Sequence, residues 1–361
     1  VSRISHYTSS SIKAVAKTIL KGFGCEDDES EIVADHLVDA NLTGHDSHGI
    51  GMLPLYGDQL RDGNLVANQT PLFYEPSGAI SIVDAKLGFG HRMALLGLDH
   101  AMNTLPEHKV AILGLRNSGH VSRVGTYSEY CAEKGYVSIH MVNVVGHPPL
   151  VAPHGASDGG FSTNPISMAM PVDRKARPLL DMATSTVAFG KVRVASNKGE
   201  KMPPGCLVDR DGCPTTDPNP MAERHEGALS AFGTYKGSGL GIFVELMAGA
   251  LASTDTVATK EHLPHGVINN MFSVIIDPEA FGGQSDVARR TMEFYDFIKS
   301  RPVAKDTEKI LMPGEPENIS RAQRRTHGIP VDDETINQLL DTARLFNLDR
   351  EQLVTLLEKT S

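Results

Sequence analysis

The segment Gly44-His45-Asp46-Ser47-His48-Gly49 sets two imidazoles, a carboxylate and a hydroxyl between two glycines. Imidazoles exchange protons near neutrality, and a neighbouring polar group fixes which ring nitrogen carries the proton. Just upstream, Ile32, Val33, Leu37, Val38 and Leu42 make one apolar stripe, which predicts an amphipathic helix over 31–42 that ends at the motif. Two readings stay open at this point. One is a proton-transfer site held where a helix ends, and the other is a polar helix terminus whose histidines complement the dipole.

Three later segments mix small, polar and turn residues in the same way. Asn117-Ser118-Gly119-His120 follows a predicted strand over 110–113, a natural place for a proton donor or acceptor, or for a hydrated turn. Ser162-Thr163-Asn164-Pro165 and Asp181-Met182-Ala183-Thr184-Ser185 flank a predicted strand beginning at Ile166. Thr184-Ser185 is expected to cap a helix starting at Val187, an end that binds phosphate or is merely capped. Asp181 is suited to orienting a histidine or bonding a ribose. Tyr235-Lys236-Gly237-Ser238-Gly239-Leu240-Gly241 opens a strongly apolar helix in which Glu245 is the lone charge. Its glycines do not have the Gly-x-Gly-x-x-Gly spacing of the dinucleotide fingerprint. Ser47, His48 and Asp181 also have the composition of a hydrolase triad, but no Gly-x-Ser-x-Gly elbow accompanies them. The histidine spacings lack a His-Glu-x-x-His or cysteine cluster, so no metal is expected.

The elements that must position these groups alternate in type. Helices are predicted over 12–20 and 31–42, and a turn-rich stretch over 58–64. Strands follow at 80–84, 110–113, 136–145, 166–172 and 271–277. Helices are expected at 90–102, 127–133, 184–195, 240–251, 288–300, 335–346 and 349–357, with a loop or hairpin over 202–216. The fold class is therefore mixed α/β, with helical chain ends around a mixed centre. The expected division is a helical domain of 1–75 with 300–361, and a mixed-sheet domain of 76–299.

A net charge of -10 argues against nucleic acid and anionic membranes as partners. The four scattered cysteines read as free thiols, and the cytoplasm is the expected compartment.

Taken together, the motifs resemble the malate/L-lactate dehydrogenases of the non-Rossmann type. Val151-Ala152-Pro153, Lys236-Gly237-x-Gly239-Leu240 and Leu311-Met312-Pro313-Gly314-Glu315 join those above in the family's order. The resemblance implies an NAD-dependent oxidoreductase of small 2-hydroxy or 2-oxo acids, with NADP as the alternative cofactor. A reductase of cyclic 2-imino acids is the alternative activity. It also implies a mixed-sheet cofactor lobe, a helical lobe built from both chain ends, and a homodimer. Carried over, His48 and His120 are the proton-transfer candidates, with Ser47 and Asp181 orienting His48. Ser122, Arg123, Val124, Thr163, Asn164, Leu179, Leu180, Met182, Ala183, Lys236, Asn270, Gly314 and Glu315 would lie along the cofactor. Tyr56, Met52 and Arg123 would face the substrate. Many family members carry arginine where this chain has Met52, so the expectation is a site that admits bulkier, less polar acids.

Overall fold

A computed structural model of the chain describes residues 3–172, 177–259 and 261–360. A seven-stranded sheet forms its centre, in the order Leu72–Ser77, Ile80–Asp84, Val110–Ser118, Ile268–Ile276, Val137–Val145, Ile166–Ala169, Leu179–Met182. All neighbours are antiparallel except Ile80–Asp84 and Val110–Ser118. That parallel pair requires a crossover, which the helix Gly90–Met102 supplies. Met93, Ala94, Leu98 and Ala101 on this helix are buried with Val83, Leu113, Leu115, Val142 and Met271 of the sheet.

Both chain ends meet in one place. Ile4–Tyr7 pairs antiparallel with Ile329–Asp332. A single apolar cluster draws Ile12, Val15, Ile19, Val33 and Leu37 from one end and Ile336, Leu339, Leu340 and Leu353 from the other. The helix Ser9–Gly22 is capped by Thr8, whose hydroxyl accepts from the Ser11 N–H at 3.2 Å. Asp332 and Asp349 cap the last two helices. A smaller four-stranded sheet, containing the hairpin of Leu207–Val208 with Pro214–Thr215, covers a separate cluster around Phe161 and Val192.

Four elements differ from expectation. Most of 58–64 is helical, because Leu53–Asp62 buries Leu53, Tyr56 and Gln59 and stops only at Gly63, a left-handed residue with φ +75°. The helix expected from Val187 begins at Phe189, with no side-chain cap. Ser185 instead donates its hydroxyl to the Val187 carbonyl, and Thr184 bonds back to Thr163. The apolar helix is α-helical over Tyr235–Glu245 and widens to a π-helix over Leu246–Leu251. Glu315–His327, where no element was expected, is a highly charged helix.

The interior holds an unusual number of imidazoles. Burial pushes His36 down to about 4 and His140 down to about 3, and it holds His91 well below the ordinary value of 6.5. Neither ring nitrogen of His91 has a hydrogen-bond partner among the described residues. The sign follows from linkage. Unfolded chains take up protons near pH 6.5, whereas folded His36 stays neutral to about pH 4, folded His140 to about pH 3 and folded His91 to well below 6.5. Stability is therefore full above that range and falls as the pH drops through it. His91→Phe is expected to remove about 2 kcal/mol of the loss between pH 6.5 and about pH 5, read by urea unfolding at both values. An unchanged loss would show that His91 is not one of the groups responsible.

Candidate active site

The motif 44–49 leaves the helix Asp27–Leu42 as a short 3₁₀ turn, Asp46–His48. Asn41 shapes it. Its side-chain carbonyl accepts from the Ile50 N–H at 3.0 Å, and its amide donates to Asp46 at 2.7 Å. Gly49 lies so close that an added Cβ would sit 2.2 Å from the Asn41 oxygen. The helix Glu315–His327 clamps the turn from outside. Arg324 bonds Asp46 at 2.6 and 3.0 Å, Ser320 donates to the Leu42 carbonyl, and Glu317 lies 3.5 Å from His45. His45 and Asp46 are thus tied to the structure of the turn, while Ser47 and His48 point elsewhere.

The second motif meets the first. His120 lies in the loop after Val110–Ser118, and its ring stacks against His48 with centroids 5.6 Å apart and planes 27° apart. Gly90 makes the approach possible, since a Cβ there would stand 2.2 Å from the Gly119 carbonyl oxygen and 2.5 Å from that of His120. Each imidazole keeps a hydroxyl on Nδ1. Ser47 Oγ is 2.9 Å from His48 Nδ1, and Tyr56 Oη is 2.8 Å from His120 Nδ1. Tyr56 is buried, wedged edge-on between Phe89 and His91. Both histidines are half-buried as residues. Burial and then the neighbouring His45 bring His48 down to about 4, while burial and then His48 bring His120 down to about 3. At neutral pH the pair consists of two neutral imidazoles whose Nε2 atoms have no hydrogen-bond partner among the described residues.

Arg123 and Asp181 are placed differently from expectation. The Arg123 side chain is 1% exposed and bonds Asp181 at 3.1 Å, Glu129 at 3.0 Å and Asp39 at 3.4 Å. Arg321 reaches the same Asp39 and Glu129 at 3.1 and 3.0 Å. Burial opposes the Arg123 charge, and Glu129, Asp181 and Asp39 more than offset it. The guanidinium is therefore held inside the protein through Nε and Nη1, while Nη2 is buried with no hydrogen-bond partner among the described residues. Asp181 holds Arg123 rather than hydrogen-bonding His48. What reaches His48 from this side is Ser122, whose hydroxyl donates to the His48 carbonyl at 2.9 Å.

The remaining motifs converge around Leu179–Met182. The Thr184 N–H and hydroxyl donate to the Thr163 carbonyl at 2.8 and 3.0 Å, and the Phe232 N–H donates to the Thr184 carbonyl at 3.1 Å. The Leu179 N–H donates to Pro313, which seats the 311–315 segment on the strand. Gly190, in the first turn of Phe189–Lys198, faces Ser47, with its hypothetical Cβ 3.5 Å from that of the serine. Lys236 is exposed in the first turn of Tyr235–Glu245 and forms no ion pair with another described residue. The N–H groups of Lys236, Gly237 and Ser238 are already used by carbonyls of 232–234, which leaves the exposed ammonium as the charge this turn presents. Glu315 is paired with Lys299 at 2.6 Å. Val124, Asn164, Leu179 and Asn270 are buried, beneath the surface rather than on it. Met52 is half-buried one helical turn before Tyr56.

Sequence reasoning missed Asn41, Gly90, Arg321 and Arg324, and the asparagines Asn143 and Asn269. The spacing of Arg321 and Arg324 on one helical face was the available signal. Among the described residues no group of three His, Cys, Asp or Glu side chains is placed to hold a metal ion. No helix is long and apolar enough to cross a membrane among the described residues.

The family model described as malate/L-lactate dehydrogenase matches residues 7–340. The chain is 38% identical to hydroxycarboxylate dehydrogenase B of Escherichia coli over 96% of each chain. It superposes on the sulfolactate dehydrogenase structure from Methanocaldococcus jannaschii with a TM-score of 0.86 at 31% identity, covering 97% of this chain and 99% of that one. It is also 29% identical to a Pseudomonas putida Δ1-pyrroline-2-carboxylate/Δ1-piperideine-2-carboxylate reductase, over 91% of this chain and 94% of the relative.

Proposed function

Because the chain belongs to the malate/L-lactate dehydrogenase family, we propose that the stacked imidazoles of His48 and His120 form the proton-transfer site for a small 2-hydroxy or 2-oxo acid. The observation that carries this reading is the pairing of each Nδ1 with a hydroxyl while each Nε2 is left unpartnered among the described residues. With Nδ1–H donated to Tyr56 Oη, His120 Nε2 carries the lone pair that accepts the proton of a substrate hydroxyl. In the reverse direction the same nitrogen returns a proton to the carbonyl oxygen. A bound nicotinamide supplies or removes the hydride at C2. Lys236 is assigned to the cofactor's phosphates, and Thr163, Leu180, Met182 and Ala183 to its flank. NAD is the cofactor proposed, with NADP tested beside it. Asp181 and Arg123 act by holding the loop 119–124 in place.

Arg123 is occupied internally, and Met52, which packs against the helical-lobe core, stands on the turn before Tyr56, so we assign an apolar side chain to the substrate side. The acid proposed is therefore one with a bulky or aromatic group beyond C2. Reduced nicotinamide absorbance, followed with a panel of 2-oxo acids and with a cyclic 2-imino acid, tests this. Met52→Arg is expected to shift kcat/KM about tenfold towards small dicarboxylic acids, the scale of one charge-assisted hydrogen bond. Equal efficiencies of wild type and variant across the panel would refute the substrate assignment, and activity with the imine alone would replace it with a reductase.

The exposed apolar residues Tyr235, Ile242, Phe243, Leu246 and Leu251 lie on one continuous helical segment. This surface supports assembly as a homodimer. A cytoplasmic location accords with four unpaired cysteines.

A further inference from the structure

Glu245, the one charge between Leu240 and Leu251, is 7% exposed and remains unaccounted for by the chemistry above. Three N–H donors converge on it. Oε1 accepts from Asn143 Nδ2 at 2.9 Å and from the Val257 backbone at 2.8 Å, and Oε2 accepts from Asn164 Nδ2 at 2.9 Å. A carboxylate only accepts, so it dictates which way the Asn143 amide points. With its NH2 towards Glu245, Asn143 presents Oδ1 to Asn270 Nδ2 at 3.0 Å. Asn270 must then turn its own Oδ1 the other way, where it accepts from the Asn117 backbone N–H at 3.0 Å and from Ser253 Oγ at 2.9 Å. Asn117 has φ +52° and is the next-to-last residue of the strand Val110–Ser118, which leads into the loop that carries His120. Both ends of this relay are unambiguous, because the carboxylate cannot donate and the backbone N–H cannot accept. The two amides between them have a single consistent direction.

We propose that Glu245 is a positioning residue for His120. Through Asn143 and Asn270 it fixes the acceptor that holds Asn117 in its left-handed conformation, and so sets where the imidazole three residues on meets His48 and Tyr56. The consequence for turnover rests on the assignment of His120 above; the relay itself does not. The other end of the loop supplies an internal control. The Val121 N–H is held by Asn269 Oδ1 at 2.8 Å, and Asn269 is tied to the main-chain carbonyl of Asn143, which does not depend on the direction of the Asn143 side chain.

Two variants of the full chain separate positioning from packing. Glu245→Met fills the space but releases the Asn143 amide. Glu245→Gln can keep an oxygen towards Asn143 and Val257 and oppose its NH2 to Asn164 alone, so it preserves the branch to His120. Backbone amide exchange followed by NMR in the ligand-free protein is the first readout. The Met variant is expected to accelerate exchange at Asn117 by about tenfold or more while Val121 stays at its wild-type rate, and the Gln variant to leave both unchanged. Equal acceleration at Asn117 and Val121, or none at Asn117, would overturn the proposal. The second readout is kinetic. The Met variant should lower kcat for a 2-oxo acid by about tenfold with an unchanged cofactor KM, and Gln should restore it. Wild-type kcat in the Met variant would overturn the link to His120. Inactivity of the wild-type protein itself would contradict the functional reading and leave the exchange result to decide the relay.

Discussion

Replacing His120 with alanine is expected to lower kcat for reduction of a 2-oxo acid by about 10²–10⁴-fold, with cofactor affinity within about twofold of wild type. The size of the effect follows from what would be lost. His120 is the imidazole whose partner hydroxyl, on Tyr56, is itself buried and immobilised, and whose loop is held by side-chain oxygens at both ends. His48 rests on a more exposed partner, Ser47, and its removal is expected to cost less. Tyr56→Phe leaves the ring packing intact and removes only the hydroxyl, so it separates orientation of His120 from filling of the core. The pH dependence carries a sign. Burial places free His120 at about 3, so the base form needed for oxidation is present throughout the neutral range. The kcat/KM profile for oxidation should therefore show no acid limb from an imidazole near 6.5 and should stay level down to about pH 5. Near-wild-type turnover in both His120→Ala and His48→Ala would remove the basis of the proton-transfer assignment.

Arg123→Met is expected to destabilise the fold by about 3–5 kcal/mol, the usual consequence of removing one partner from a buried ionic network. Three carboxylates, Asp39, Glu129 and Asp181, share Arg123, and only the first two also reach Arg321. Loss of the guanidinium therefore strands Asp181, which is 8% exposed. The damage extends to the site, because the network joins the helix that carries the 44–49 turn to the loop that carries His120. Arg123→Met with Asp181→Leu removes the stranded charge as well, and should recover part of the lost stability in urea unfolding. A single variant within 1 kcal/mol of wild type, a threshold about a third of the expected loss, would show that the network is not a structural hub. If the double variant were less stable than the single one, Asp181 would need a role other than pairing with Arg123.

The sequence made much of this legible where a local rule operates undisturbed. The stripe of Val33, Leu37 and Val38 announced a helix, and the last two helices, capped by Asp332 and Asp349, lie where they were expected. Pairing of His48 with Ser47 is a local contact between neighbours, and the family resemblance had already implied it. Meeting of His48 with His120 depends on Gly90 admitting the loop, a contact between distant segments that no local pattern encodes. The helix Glu315–His327 was invisible because it has few apolar residues, and Arg321 and Arg324 tie it by ion pairs to Asp39 and Asp46 across the fold. Arg123 misled for the opposite reason. An arginine between two site motifs resembles a carboxylate clamp, and only burial beside three carboxylates shows that its charge is spent internally. Glu245 stood out as an isolated charge, but its three donors come from separate elements at 143, 164 and 257.

The central claim is that hydride moves between nicotinamide and C2 of an acid held at His48 and His120. Its most direct measurement is the fate of deuterium. NADH carrying deuterium at its transferable C4 position is incubated with the protein and a 2-oxo acid, and the product is analysed by mass spectrometry. The expected product is a 2-hydroxy acid bearing one deuterium on C2, formed stereospecifically by the wild type and at a far lower rate by His120→Ala. Product formation without deuterium at C2, or deuterium transfer at an undiminished rate when both histidines are replaced, would contradict it.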